Sequence, residues 1–63
     1  MTFEEFYSEA SDYTWIEAEI DLFGVTMKSK HMASYWNECE HELGTRTVLS
    51  LRVDDSTLTV SLL

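Results

Sequence analysis

The chain has no proline, two glycines and one cysteine, and only four bases. With Cys39 alone an internal disulfide is impossible, so the fold has to hold without a covalent staple, and a reducing, intracellular setting is expected. Glycine only at Gly24 and Gly44 leaves no glycine-rich phosphate loop and no nucleophile elbow. No apolar run approaches the ~20 residues that span a bilayer, and the opening MTFEEFYSEASDY has neither the basic start nor the apolar middle of a secretory signal. The expectation is a soluble, cytoplasmic chain that begins at its own Met1. Its 63 residues allow one domain, 1–63, with a thin core, since folding at this size buries only about 60% of the unfolded surface.

What is abundant is acid. Twelve Asp and Glu stand against Lys28, Lys30, Arg46 and Arg52. Residues 1–23 hold Glu4, Glu5, Glu9, Asp12, Glu17, Glu19 and Asp21 with no base at all. Such a field repels phosphate, which argues against direct binding of nucleic acid or an anionic membrane and for a basic protein partner.

The stretch Thr14–Phe23 alternates without a break: Thr14, Ile16, Ala18, Ile20 and Leu22 against Trp15, Glu17, Glu19, Asp21 and Phe23. Period two predicts a half-buried strand with one apolar face and one face carrying a carboxylate row. Before it, Phe3, Phe6, Tyr7 and Ala10 make a helical stripe over 3–10, with Thr2 and Glu5 spaced as a capping box. After Gly24, the β-prone Val25, Thr26 and Met27 predict either a resumed strand past a bulge or a brief hairpin. A second helix is expected over 30–43, because Met32, Tyr35, Trp36, Cys39 and Leu43 follow helical spacing. Ser29 is its expected N-cap and Gly44 its left-handed stop, while Lys30 at the start and Glu40 and Glu42 at the end oppose the helix dipole. Residues 46–53 and 57–63 read as a hairpin around Asp54, Asp55 and Ser56. The expected fold is α+β: a small two-layer α-β-α-β-β domain with about three strands under one helix, plus the short N-terminal helix. The first strand could pair parallel with the second or antiparallel with the third.

The row Glu17, Glu19, Asp21 is the first candidate site. Alternate strand residues are ~6.6–6.8 Å apart and phosphates advance ~3.4 Å along one DNA strand, so the row matches every second phosphate. Glu4, Glu5, Glu9 and Asp12 extend the array if the first helix packs beside the strand. Against this, Arg46 and Arg52 could pair with the row across the sheet, although two arginines cannot neutralise seven acids. Trp15, on the same face, is either an interface anchor or covered by Phe3, Phe6 and Tyr7, and the cover is the expected arrangement. If it is incomplete, a homodimer through this face or a strand edge follows. His31, His41 and Cys39 lack the spacing of a zinc site, so no metal and no cofactor are expected. Cys39 reads as a small apolar core residue. Acids along an exposed row do not provide the two environments that acid–base catalysis requires, and a non-catalytic chain is expected.

The base-free run Glu4, Glu5, Glu9, Asp12, Glu17, Glu19, Asp21 and the cluster Glu38, Glu40, Glu42 give the chain a profile that resembles small acidic inhibitors of phages and mobile elements, of the anti-CRISPR and anti-restriction type. The resemblance implies a stoichiometric inhibitor in the host cytoplasm. It would occupy the DNA- or PAM-reading surface of a nuclease complex, with carboxylates meeting partner arginines and lysines. The alternative is a structural or regulatory interaction module whose acidic face only solvates it.

Overall fold

The computed structural model describes residues 1–39 and 42–63. Its elements are helix α1 (Phe3–Glu9), strands β1 (Trp15–Leu22) and β2 (Val25–Met32), helix α2 (Ala33–Glu38), a 3-10 turn (Glu42–Thr45), and strands β3 (Val48–Asp54) and β4 (Thr57–Leu62). The four strands form one mixed sheet in the order β2-β1-β4-β3. Two antiparallel hairpins, β1–β2 and β3–β4, join through a parallel β1–β4 pair at the centre.

The small α+β class expected from the sequence stands, but the sheet has four strands. Residues 25–32 form a full strand, so Lys30, His31 and Met32 belong to β2 and not to a helix. Ser29 lies within β2 and caps nothing; α2 begins after Met32 with no side-chain cap. The last part of the expected helix, with Glu40 and His41, lies outside the described residues. The first strand pairs in parallel with the last, β4, which is neither of the two pairings considered from sequence.

The β1–β2 turn explains the extra strand. Phe23 and Gly24 both have positive φ, 53° and 80°, the backbone of a two-residue turn whose twist matches the flanking strands. Phe23 is fully exposed there and gains no packing for adopting a left-handed conformation. Phe23→Asn should therefore stabilise the fold by roughly 1 kcal/mol, read as a melting temperature about 4–8 °C higher. An unchanged or lower value would mean that Phe23 is held by contacts not visible in this conformation.

Ile16, Ala18 and Ile20 of β1 and Val60 and Leu62 of β4 form the sheet's half of the core. Phe3, Tyr7, Ala33 and Trp36 form the helical half. Phe3 and Tyr7 meet edge-to-face, as do Phe3 and Trp36, with centroids 5.0 and 4.9 Å apart. The Trp36 indole N–H donates to the Ile16 carbonyl at 3.2 Å, so the largest core side chain leaves no polar atom stranded. Asn37 ties the helices together by donating to the Tyr7 carbonyl at 2.9 Å.

Gly44 lies inside the 3-10 turn and is buried there, instead of ending a helix in a left-handed cap. A Cβ at Gly44 would stand 3.0 Å from the Tyr7 hydroxyl and 3.3 Å from Glu4 Cβ. The turn thus approaches α1 so closely that any larger residue would have to push the Tyr7 hydroxyl and Glu4 aside by a few tenths of an ångström.

Candidate interaction surfaces

The two sides of the sheet carry different charge patterns. On the side away from the helices, alternation places Trp15, Glu17, Glu19 and Asp21 as a row along β1, as the sequence predicts. That row is not bare. The β1–β2 register sets Lys30 opposite Glu17, Lys28 opposite Glu19 and Thr26 opposite Asp21.

Glu19 is the hub of this face. Its Oε1 accepts from Arg52 Nη2 at 2.9 Å and lies 3.8 Å from Lys28 Nζ. Arg52 sits on β3, so its guanidinium reaches over β4 to get there. This crossing accounts for Thr59, which is only 4% exposed although it lies on the open side. Asp21 accepts from the Thr26 hydroxyl at 2.6 Å. Three acids on β1 thus stand among three bases, and the face is close to neutral. Sequence reading allowed only Arg46 and Arg52 as partners; of these Arg52 reaches the row, while Arg46 donates instead to the Leu63 carbonyl at 3.4 Å. The missed bases are Lys28 and Lys30. Their period-two spacing opposite Glu17 and Glu19, on either side of a Phe-Gly turn, is the signal that could have placed them.

Trp15 is not covered by α1. Phe3 and Tyr7 point into the core on the opposite side of the sheet, leaving Trp15 44% exposed. Its ring carries Lys30 Nζ at 5.7 Å from the centroid, a cation–π contact that occupies the ring without burying it.

Glu4, Glu5 and Glu9 lie on α1, on the other side of the sheet from Glu17, Glu19 and Asp21. The eight candidate residues therefore do not form one array, because α1 packs over the apolar face and not beside the carboxylate row. What the structure assembles instead is an acidic helical layer. Glu4, Glu5 and Glu9 of α1, Asp12 of the following loop, Glu38 of α2 and Glu42 of the 3-10 turn are all exposed. Among the described residues both ion pairs fall on Glu19, so none of these six is paired with a base. The loop is held to α2 by the Ser34 N–H donating to the Asp12 carbonyl at 3.1 Å.

Glu5 has a structural duty as well. Its carboxylate accepts from the Thr2 backbone N–H and hydroxyl, both at 3.0 Å, while the Thr2 hydroxyl accepts from the Glu5 N–H at 3.3 Å. These bonds, the backbone one first, hold the Glu5 carboxyl below its ordinary value. A lowered folded value means that the cap is fully formed above the usual glutamate range and lost as pH falls through that lowered value. Acid titration of wild type should show α1 fraying at that point, and Glu5→Gln, which removes the titrating carboxyl, should abolish the step. A step that persists in Glu5→Gln would assign it to another carboxylate. Nearby, burial pushes the Tyr7 phenol up, with Glu4 adding to the effect.

A groove of about 630 Å³ runs between the β1–β2 hairpin and the 3-10 turn, lined by Ala18, Ile20, Leu22, Met27, Leu43 and Arg46 among others. Its floor is apolar. Cys39 is half-buried with a free thiol. Among the described residues no group of three or more His, Cys, Asp or Glu side chains is placed to hold a metal ion. No described helix is long and apolar enough to cross a membrane.

Together these features define a small α+β domain with a charge-balanced sheet face and a helical layer whose acids form no ion pair among the described residues. Comparisons with protein-family models, curated proteins and solved structures return no match to this chain.

Proposed function

We propose that the chain is a small, non-catalytic protein that binds a basic surface on another protein, with the acids of the helical layer as its contact residues. The observation that carries this reading is the set Glu4, Glu9, Asp12, Glu38 and Glu42, exposed on one layer with no base paired to any of them among the described residues. Uncompensated like charge raises the energy of the free monomer, and a cationic partner relieves it. Partner arginines and lysines would form charge-assisted hydrogen bonds to these carboxylates, and the long-range field would speed encounter.

The class of partner that fits is a nucleic-acid-binding or nuclease complex whose cationic groove is built for phosphate. Occupying that groove makes the chain an inhibitor of the anti-CRISPR or anti-restriction kind, acting in the host cytoplasm without contacting nucleic acid itself. The carboxylate row of β1 is the weaker contact in this scheme. A partner arginine approaching Glu19 has to displace Arg52 and Lys28 before it gains anything. The test is binding measured at low and moderate salt, with the helical-layer acids and the β1 row neutralised in separate variants. Loss confined to the helical-layer variant supports the assignment.

A further inference from the structure

The sheet ends in two edges, β2 and β3, and they are built differently. Edge strands expose unpaired N–H and C=O groups, and proteins commonly guard them with lysines. β2 carries Lys28 and Lys30. β3, with sequence VLSLRVD, has no lysine, and Leu49, Leu51 and Val53 are 60%, 51% and 70% exposed. The N-terminal segment covers only the start of this edge: the Val48 N–H donates to the Met1 carbonyl at 2.9 Å, and Thr2 bridges Thr47. Past Val48 no described residue pairs with the rim.

The β3–β4 turn fixes which backbone groups face outward. Asp55 and Ser56 both have positive φ, 48° and 63°, forming a two-residue turn. Across such a turn Asp54 and Thr57 exchange hydrogen bonds, so alternation directs the N–H and C=O of Arg52 toward β4 and those of Leu51 and Val53 away from the sheet. The same two residues place their side chains on the helical side, in register with Val60 and Leu58. Backbone donors, backbone acceptors and apolar side chains thus coincide on one short rim.

We propose that β3 is a self-association edge, on which a second copy of this chain adds its own β3 antiparallel, centred on Val53, to make one continuous sheet across the pair. Charge complementarity selects a second copy. Arg52 and Asp54 share the open side of β3, and an antiparallel two-fold pairing brings Arg52 of each copy beside Asp54 of the other, twice over. On the helical side, Val53 lies opposite its counterpart, with Leu51 of each copy diagonally beside the other's Val53. A pairing centred there stays clear of Met1 and Thr2. The acidic residues of α1 lie in the helical layer and not on this rim, so the proposed pair leaves the partner-binding layer free.

Sedimentation equilibrium over a concentration series tests the proposal, together with hydrogen exchange on the wild-type chain. The expected mass rises with concentration from the 7.3 kDa of one chain toward twice that value. The double variant Leu51→Lys/Val53→Lys, at two exposed positions, should stay at one-chain mass with an unchanged circular dichroism spectrum. In wild type, exchange of the Val53 amide should slow at least tenfold as the pair forms, with no slowing along the outer rim of β2. A wild-type mass that stays at one chain into the millimolar range, a pair that survives in the double variant, or protection that appears on β2 instead would overturn the proposal.

Discussion

Trp36→Ala should cost this chain most of its stability. Trp36 has no exposed surface, touches Phe3 edge-to-face and holds the Ile16 carbonyl, so it links α2 to α1 and to the central strand at once. Truncating a buried tryptophan costs about 3–5 kcal/mol. A chain of 63 residues has roughly 3–9 kcal/mol in total at the usual stability per residue. Melting should fall by more than about 15 °C, or the cooperative transition should vanish. Trp15→Ala is the control. Half exposed and resting under Lys30 on the open side, Trp15 should cost no more than about 1 kcal/mol. Equal losses at the two tryptophans would mean that the open side of the sheet is covered in solution.

The second large effect is on binding, and it separates two groups of acids that the sequence presents as one run. Replacing Glu4 and Glu9 by Gln and Asp12 by Asn removes three exposed carboxylates that pair with no base among the described residues and spares the Glu5 cap. Hydrogen bonds to charged groups contribute about 1.5–3 kcal/mol each, so three lost contacts should weaken a basic partner at least 100-fold. Neutralising Glu17, Glu19 and Asp21 in the same way should weaken it only a few-fold. The two variants should also diverge in stability. Removing Glu19 strands Arg52 and Lys28 on the open side, at a cost of about 0.2–1 kcal/mol for each exposed pair. Neutralising the helical layer relieves repulsion and should leave stability equal or higher. Thermal melts of both variants, run alongside the binding measurements, check the divergence.

Much of the fold is legible in the sequence because local signals there agree. The Thr2–Glu5 capping box forms as its spacing predicts, the alternation of 14–23 becomes β1, and Asp54, Asp55 and Ser56 mark the β3–β4 turn. The reading failed where two periods overlap. Met32, Tyr35, Trp36 and Cys39 fit helical spacing, which drew Lys30 and His31 into a helix. In the structure Thr26, Lys28 and Lys30 alternate on a strand because that register matches them to Asp21, Glu19 and Glu17. Tertiary pairing overrode a local pattern. The candidate site suffers from the same omission: with the lysines misplaced, only Arg46 and Arg52 remain as partners for the carboxylate row, and its continuity with the acids of α1 depends on where that helix packs. Which side of the sheet α1 covers is a packing outcome, and one-dimensional charge counting cannot reach it.

The most direct test of the docking assignment is affinity capture from nuclease-treated host lysate at low and moderate salt, with wild type, the helical-layer variant and the β1-row variant side by side. The account predicts that wild type and the β1-row variant retain one nucleic-acid-binding complex at low salt and release it at moderate salt, while the helical-layer variant fails to retain it. Retention by the helical-layer variant with loss from the β1-row variant, or capture that ignores both salt and charge, would contradict it.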